Sequence, residues 1–234
     1  MDSIAQGLTL ALQMIARADA ELLRIVGLSL RVSGTACLIG SALGLAAGAW
    51  LAASSFPGQR ACVWLVNTLL ALPSVVVGLV VYLLLSRAGP LGAFGILFTP
   101  AAMVIAQSIL VIPLVAALSR RLVLNALREG GDQLRSLGAG PLQSALLMLL
   151  HERFGVLTVM LTAFGRAVAE VGAVMIVGGN IDGVSRVMTT MIVLETSKGD
   201  LPLALGLGAI LIIIVLGLNA AAYLVKEAAQ RRYG

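Results

Sequence analysis

Long apolar runs separated by short polar segments dominate this sequence. Five of the runs are long enough to cross a membrane, and they cover residues 32–54, 61–85, 91–118, 154–178 and 201–225. A helix of about 20 apolar residues spans the roughly 30 Å of hydrocarbon in a bilayer. The pattern therefore predicts an all-α, polytopic integral membrane protein with about five transmembrane helices.

An apolar run that is too short to cross a bilayer precedes the first span, at residues 4–15. Four of its apolar residues share one helical face. They are Ile4, Leu8, Leu12 and Ile15. This pattern is typical of a helix that lies in the membrane interface.

Residues 20–30 lead from this helix into the first span. Arg24 and Arg31 argue against full insertion of this stretch, although it can also simply lengthen the first span. We therefore divide the chain into residues 1–31, which are the interfacial helix and the entry to the first span, and residues 32–234, which are one transmembrane domain.

The composition agrees with a membrane protein. Hydrophobic residues make up 59% of the chain and charged residues 12%, against about 45–50% and about 25% in soluble domains. The net charge of +5 would favour nucleic-acid binding in a soluble protein. Because only 4% of the residues are aromatic, bases would find few stacking partners. Membrane lipid, and no nucleic acid, is the expected surrounding.

Arginine and lysine set the expected orientation. With five spans, one side of the membrane carries the richer set, which is Arg60, Arg120, Arg121, Arg128, Arg135, Arg153, Lys226, Arg231 and Arg232. The positive-inside rule assigns that side to the cytoplasm. The segment 119–152 and the C-terminus are then cytoplasmic, and the N-terminus is external.

The segment 119–152 is too polar to span the membrane and too rich in leucine for a flexible linker. Residues 138–141, Gly-Ala-Gly-Pro, interrupt it, and a second apolar stretch begins at Leu142. We expect two short helices hinged at a glycine. They either rest on the membrane surface or dock a soluble partner.

No set of residues for catalysis or metal binding stands out. The sequence contains neither a P-loop nor a nucleophile elbow. The single histidine, His151, has no carboxylate or cysteine partners at ligand spacing. We therefore expect no catalytic residue, no metal site and no cofactor on this chain.

The segment 119–152 resembles the cytoplasmic coupling loop of bacterial ABC importer permeases. In that family the loop begins with Glu-Ala-Ala, continues to a glycine and ends in Leu-Pro. Gly138 and Leu150 match this spacing. Asp132 stands in place of the glutamate, and His151 in place of the proline. The two alanines are also replaced, by Gln133 and Leu134.

A second stretch, residues 164–180, continues through 186–190 and 194–200 and ends in Thr-Ser-Lys-Gly-Asp. It resembles the permeases of tungstate-type ABC importers, which are relatives of the molybdate and sulfate permeases. Residues 71–73 with Gly78, 89–92 and 98–100 agree as well. The resemblance covers nearly the whole chain beyond the N-terminal helix.

The resemblance implies the type I permease fold and an importer that moves an oxyanion, most closely tungstate, across a bacterial cytoplasmic membrane. Two permease copies would surround one pathway, with two cytoplasmic ATPase subunits that hold MgATP and an external substrate-binding protein. The residues expected to couple to the ATPase are Arg128, Glu129, Asp132, Arg135, Gly138 and Leu150.

Two charged residues, Arg166 and Glu170, lie inside the predicted fourth span. A lone charge at the centre of a bilayer costs about 3 kcal/mol. At a spacing of one helical turn, the two side chains can neutralise each other. Either they form a buried pair that fixes helix packing, or they face the pathway, where Arg166 would attract the anion.

Prolines and glycines mark two further features of the spans. Pro73 and Pro113 lie inside predicted spans and can kink them, and we place a candidate gate at Pro73, Ser74 and Gly78. The glycines at 40, 44 and 48 permit close helix contact, within the chain or between two copies.

Other functions stay open at this point. A molybdate or sulfate permease would have the same architecture, and a secondary or passive anion transporter would work without ATPases. An intramembrane enzyme is less well supported, because no nucleophile, base or metal cluster is present. Residues 179–202 are expected to form an external loop that contains a re-entrant or surface helix.

Overall fold

The computed structural model describes residues 2–16 and 20–233, and all regular secondary structure in these ranges is helical. The α-helices are α1 Asp2–Ala16, α2 Ala20–Ala53, α3 Gln59–Leu69, α4 Ser74–Leu85, α5 Pro100–Ser136, α6 Pro141–His151, α7 Arg153–Val168, α8 Gly172–Gly178, α9 Met188–Lys198 and α10 Leu201–Tyr233. A 3-10 helix, Gly92–Phe94, lies between α4 and α5. The prediction of an all-α fold is confirmed.

Three helices of the described ranges are long and apolar enough to cross a membrane: α2, α5 and the part of α10 at Leu201–Leu224. Two bent pairs, α3 with α4 and α6 with α7, raise the number to five if each pair is one span. The polytopic prediction is therefore confirmed. The second pair contains α6, which the sequence had placed in the polar segment.

The predicted second span consists of two helices, which agrees with the expected kink at Pro73, and the predicted fourth span is also interrupted. Residues 70–73 separate α3 from α4, and residues 169–171 separate α7 from α8. Pro73 brings no N–H for a helical hydrogen bond and directly precedes the first residue of α4. Apolar composition alone does not reveal such breaks.

The predicted third span also differs from the observed helix. α5 begins at Pro100 rather than at residue 91. The preceding residues turn tightly, since Gly95 and Phe98 have positive φ angles of 60° and 62°. At its other end α5 continues to Ser136 and contains Pro113 without interruption. Residues 119–136 thus extend a span, and the prediction of a separate short helix there was wrong.

Contacts divide the chain into two compact units. Unit 1 comprises Met1–Thr35, Ser74–Gln107 and Val168–Gly234, and unit 2 comprises Ala36–Pro73 and Ser108–Ala167.

In unit 1, α1 packs against α10. A Cβ atom on Gly7 would lie 3.0 Å from the Pro202 carbonyl oxygen, so the two backbones are close. Leu8 and Leu12 are 53% and 67% exposed. The prediction of an N-terminal helix is confirmed, and its place in the membrane interface stays a prediction. The core beneath consists of Ala11, Leu22, Ile25, Met188, Leu207 and Ile210.

α2 begins at Ala20. The stretch 20–30 therefore lengthens the helix of the first span, which was one of the two expectations. Its early turns hold the region before α9. The Met188 N–H donates to the Ser29 hydroxyl at 2.8 Å. The Asp182 carboxylate lies 2.8 Å from the Arg24 guanidinium and 3.5 Å from that of Arg186. The predicted helix in 179–202 is α9, and its first residues are buried rather than lying on a surface.

In unit 2, three glycines bring α2 against α5. A Cβ on Gly40 would lie 2.8 Å from Val111 Cβ, and one on Gly44 would lie 2.6 Å from Val115 Cβ. At the third position, Gly48, a Cβ would overlap Ser119 Oγ. The glycine ridge therefore serves packing within the chain. Cys37 is buried nearby, and neither it nor Cys62 forms a disulfide.

Replacing Gly44 with valine should destabilise the protein, because the new side chain would overlap Val115. Overpacking of this kind costs about 1–3 kcal/mol. The matched control is Gly27→Val on the same helix, where a Cβ meets nothing within 4 Å. The variants are heated in detergent, and size-exclusion chromatography measures the folded fraction at each temperature. Only Gly44→Val should show a lower Tm. Equal melting of the two variants would contradict close packing at Gly44.

Candidate functional site

The end of α5, the turn at Gly138 and helix α6 form one exposed structure. All six residues predicted to couple to an ATPase lie on its exposed surface: Arg128, Glu129, Asp132, Arg135, Gly138 and Leu150. Arg135 and Asp132 form an ion pair of 3.6 Å on the surface. Such an exposed pair contributes little stability, so both charges remain available to a partner.

The turn at Gly138 needs a glycine. Its φ angle is +82°, a left-handed conformation that costs other L-residues about 1–2 kcal/mol. The Gly138 and Ala139 N–H groups donate to the carbonyls of Arg135 and Leu134 at 2.9 and 3.0 Å, which satisfies the end of α5. The predicted glycine hinge is confirmed, and Pro141 then begins α6.

Helix α6 is held by one face and leaves another free. Ala145 and Met148 are buried and pack with Ala49, Val123 and Ala126. The opposite side carries three leucines at helical spacing: Leu142, Leu146 and Leu150, which are 63%, 59% and 63% exposed. We call these three residues the leucine ridge. Sequence reasoning selected only Leu150, although the spacing i, i+4, i+8 would have indicated all three.

A groove of about 430 Å³ runs between α5 and α6. Its lining is Ala126, Glu129, Gly130, Gln133, Leu134, Leu147, Met148, His151 and Glu152. Glu129 of α5 thus lines the same groove as the single histidine, a neighbour that the sequence did not indicate. Within the described residues, no group of three or more His, Cys, Asp and Glu side chains could hold a metal.

The structure places Arg166 and Glu170 in different local settings. Arg166 is exposed in the last turn of α7, whereas Glu170 is buried in the break after it, at 3% exposure. The expectation that both lie one turn apart on a continuous helix was therefore wrong. Their assignment to the pathway, or to a packing pair, stays a prediction.

Glu170 starts helix α8. Its carboxyl oxygen accepts the Ala173 N–H at 3.2 Å, which satisfies one of the free donors of the first turn. The Glu170 carbonyl also accepts the Thr189 hydroxyl at 3.0 Å. Glu170 thus joins the break to the start of α9.

The candidate gate residues lie at the other break. Pro73 ends the connection, and Ser74 is the first residue of α4. Pro73 therefore lies in the connection between two helices and not within a kinked helix. Gly78, one turn into α4, lets α8 approach, since a Cβ there would lie 2.7 Å from Ala173 Cα. Their role in gating stays a prediction.

Several apolar helices of spanning length define a multi-pass helical membrane protein. Residues 40–234 match the family described as "Binding-protein-dependent transport system inner membrane component". The chain belongs to this family, and the predicted permease class is confirmed.

Similar proteins cover almost the whole chain. The tungstate uptake system permease protein TupB of Peptoclostridium acidaminophilum is 41% identical over 97% of this chain and 100% of its own length. TupB of Campylobacter jejuni is 37% identical over 97% of this chain and 95% of its own. A probable anion ABC transporter permease protein of Haloferax volcanii is 42% identical over 85% of this chain and 88% of its own.

The role of Glu170 at the start of α8 can be tested by two substitutions. Glu170→Leu should lower stability by about 1–3 kcal/mol, because the buried Ala173 N–H loses its acceptor. Glu170→Gln keeps an acceptor oxygen and should cost less. The measurement is thermal unfolding of the purified variants. Equal losses for leucine and glutamine would contradict the hydrogen bond as the stabilising interaction.

Proposed function

We propose that this chain is the membrane-spanning subunit of an ATP-driven importer that carries tungstate inward across a bacterial cytoplasmic membrane. The observation that carries the proposal is the similarity to two tungstate uptake permeases over 97% of the chain. The family description names a binding-protein-dependent system, which supports an external binding protein that delivers the anion.

Two further partners are proposed, an ATPase and a second copy of this chain. Its sequence has no P-loop for nucleotide phosphates, so MgATP is assigned to two separate cytoplasmic ATPase subunits. The leucine ridge and the exposed residues around Gly138 form the surface that docks them, in the manner of a helix laid into a groove. A second copy of this chain completes the pathway.

The orientation rests on charge. Arginines concentrate in and beside the segment 119–152 and near the C-terminus, and the positive-inside rule assigns such regions to the cytoplasm. The docking surface and the C-terminus then lie on the side where ATP is available. Transport requires that contacts at this surface differ between outward-open and inward-open states, since only differential contacts shift such an equilibrium.

The test uses proteoliposomes that contain this chain and its ATPase, with the binding protein outside and ATP inside. We expect uptake of tungstate that needs ATP and resists an excess of molybdate or sulfate. ADP in place of ATP is the control. ATP-dependent uptake of molybdate or sulfate instead would keep the importer and change its cargo. Uptake without ATP or ATPase would assign the chain to a secondary or passive transporter.

The turn at Gly138 provides a test of coupling. Gly138→Ala should reduce ATP-dependent uptake several-fold while the protein still folds, because strain at the left-handed residue shifts the leucine ridge from its position. The control is Gly131→Ala in the same segment, where a Cβ would lie 3.7 Å from Leu127 atoms, an ordinary contact. This variant should transport normally. If both variants couple ATP hydrolysis to uptake equally well, the turn does not position the docking surface.

A further inference from the structure

Helix α3 has two faces of different character. One face, with Cys62, Val66 and Leu69 at helical spacing, is half-buried against its own chain. The rest of the helix is exposed and carries the apolar residues Ala61 and Leu65 beside Arg60, Trp64, Asn67 and Thr68. We call the last four residues, at positions i, i+4, i+7 and i+8, the α3 stripe. No residue of α3 is fully buried.

The composition of the stripe does not suit lipid. Asn67 and Thr68 lie about 10–12 Å further along the helix than Arg60, at about 1.5 Å per residue. Helix α3 belongs to a candidate span, so this distance leads towards the membrane interior. The Thr68 hydroxyl donates to the Trp64 carbonyl, but the amide of Asn67 has no such partner among the described residues. In hydrocarbon an unpaired amide costs several kcal/mol.

Direct packing of two copies through the stripe is also unfavourable. A twofold interface brings the same residues of both copies together. Arg60 forms no ion pair within the part of the chain that the structure describes, so two uncompensated guanidinium groups would meet. Water that contains an anion removes both difficulties, because it solvates the amide of Asn67 and compensates the charge of Arg60.

We propose that the α3 stripe borders the aqueous pathway and that Arg60 and Asn67 offer hydrogen-bond donors to a divalent tetrahedral oxyanion passing along it. This inference rests on the proposed function, in which two copies surround one pathway. The stripe begins at Arg60, near the start of α3, and leads to the break at residues 70–73, which contains the candidate gate residue Pro73 and directly precedes Ser74. Sequence reasoning had counted Arg60 only as an orientation signal.

The experiment measures water access to position 67. In a background with Cys37→Ala and Cys62→Ala, Asn67→Cys is reconstituted in proteoliposomes with the ATPase and treated with water-soluble thiol reagents. Such reagents need the thiolate, which forms in water and not in lipid. We expect reaction about tenfold faster than for Ile213→Cys, a 56% exposed residue of the apolar helix α10.

Charge and cargo provide two further readouts. An anionic reagent should react faster than a cationic one, and Arg60→Gln should bring the two rates close together. Tungstate, delivered by the binding protein, should slow the reaction. The rate should also differ between nucleotide-free ATPase and ATPase loaded with a non-hydrolysable ATP analogue. The matched control keeps the native Cys62 alone, on the half-buried face of the same helix, and should react slowly in every condition.

Four results would overturn the inference. A rate at position 67 no faster than at position 213 would place the stripe in lipid. A spontaneous disulfide between two copies, with no reaction with reagent, would make the stripe an interface. A reaction rate at position 67 that changes with neither nucleotide nor tungstate would place α3 on a permanently hydrated surface. If the cysteine-free background shows no ATP-dependent uptake of tungstate, the proposed function is overturned as well. If uptake is normal and position 67 is unreactive, only this inference is overturned.

Discussion

The close contact between α2 and α5 is the constraint on which the rest of unit 2 depends. Side chains are absent at Gly40, Gly44 and Gly48, so the two backbones approach to a distance that any Cβ would prevent. The Ser119 hydroxyl donates to the Gly44 carbonyl at 3.2 Å and fixes the register. From this contact α5 continues without a break to Ser136.

Helix α6 depends on the same contact. Its buried residues pack on the last turns of α5 and on Ala49, which follows the glycines on α2. The leucine ridge is therefore placed by packing that begins at the glycines and not by contacts of its own. Under the proposed docking role, a surface that is held in this way keeps its position before the partner arrives, which reduces the entropy lost on binding.

Much of the fold could be predicted from the sequence because apolar run length is a direct physical requirement of a bilayer. The N-terminal helix and the turn at Gly138 followed from periodicity and turn residues, whereas the extension of α2 to Ala20 was one of two open expectations. The breaks at 70–73 and 169–171 could not be predicted in this way, since hydropathy measures how apolar a run is and not where its helix ends or changes direction. Broken helices persist in membranes where other groups satisfy the freed backbone, and at the second break Glu170 does so.

The candidate site was predicted unevenly for a related reason. Gly138 and Leu150 were selected because they match the coupling loop of ABC importer permeases, and their role in coupling stays a prediction. Glu170 was recognised as unusual, but its partners Ala173 and Thr189 depend on how α8 and α9 fold around the break. The α3 stripe escaped notice because Asn67 and Thr68 are unremarkable in a sequence. Only the packing of the opposite face shows that they are left uncovered.

The length of α5 has a mechanical consequence. Its 37 residues correspond to about 55 Å at about 1.5 Å per residue, and the hydrocarbon layer takes up only about 30 Å of this. The surplus of about 25 Å lies outside the hydrocarbon layer, at the end where α5 meets the turn at Gly138 if the other end is in the bilayer. From Val115 at the glycine contact to Ser136 the helix runs about 30 Å, so a tilt of about 5° at this contact moves the tip by about 3 Å. A small rotation at the glycine contact thereby becomes a displacement of about half a helical turn at the tip.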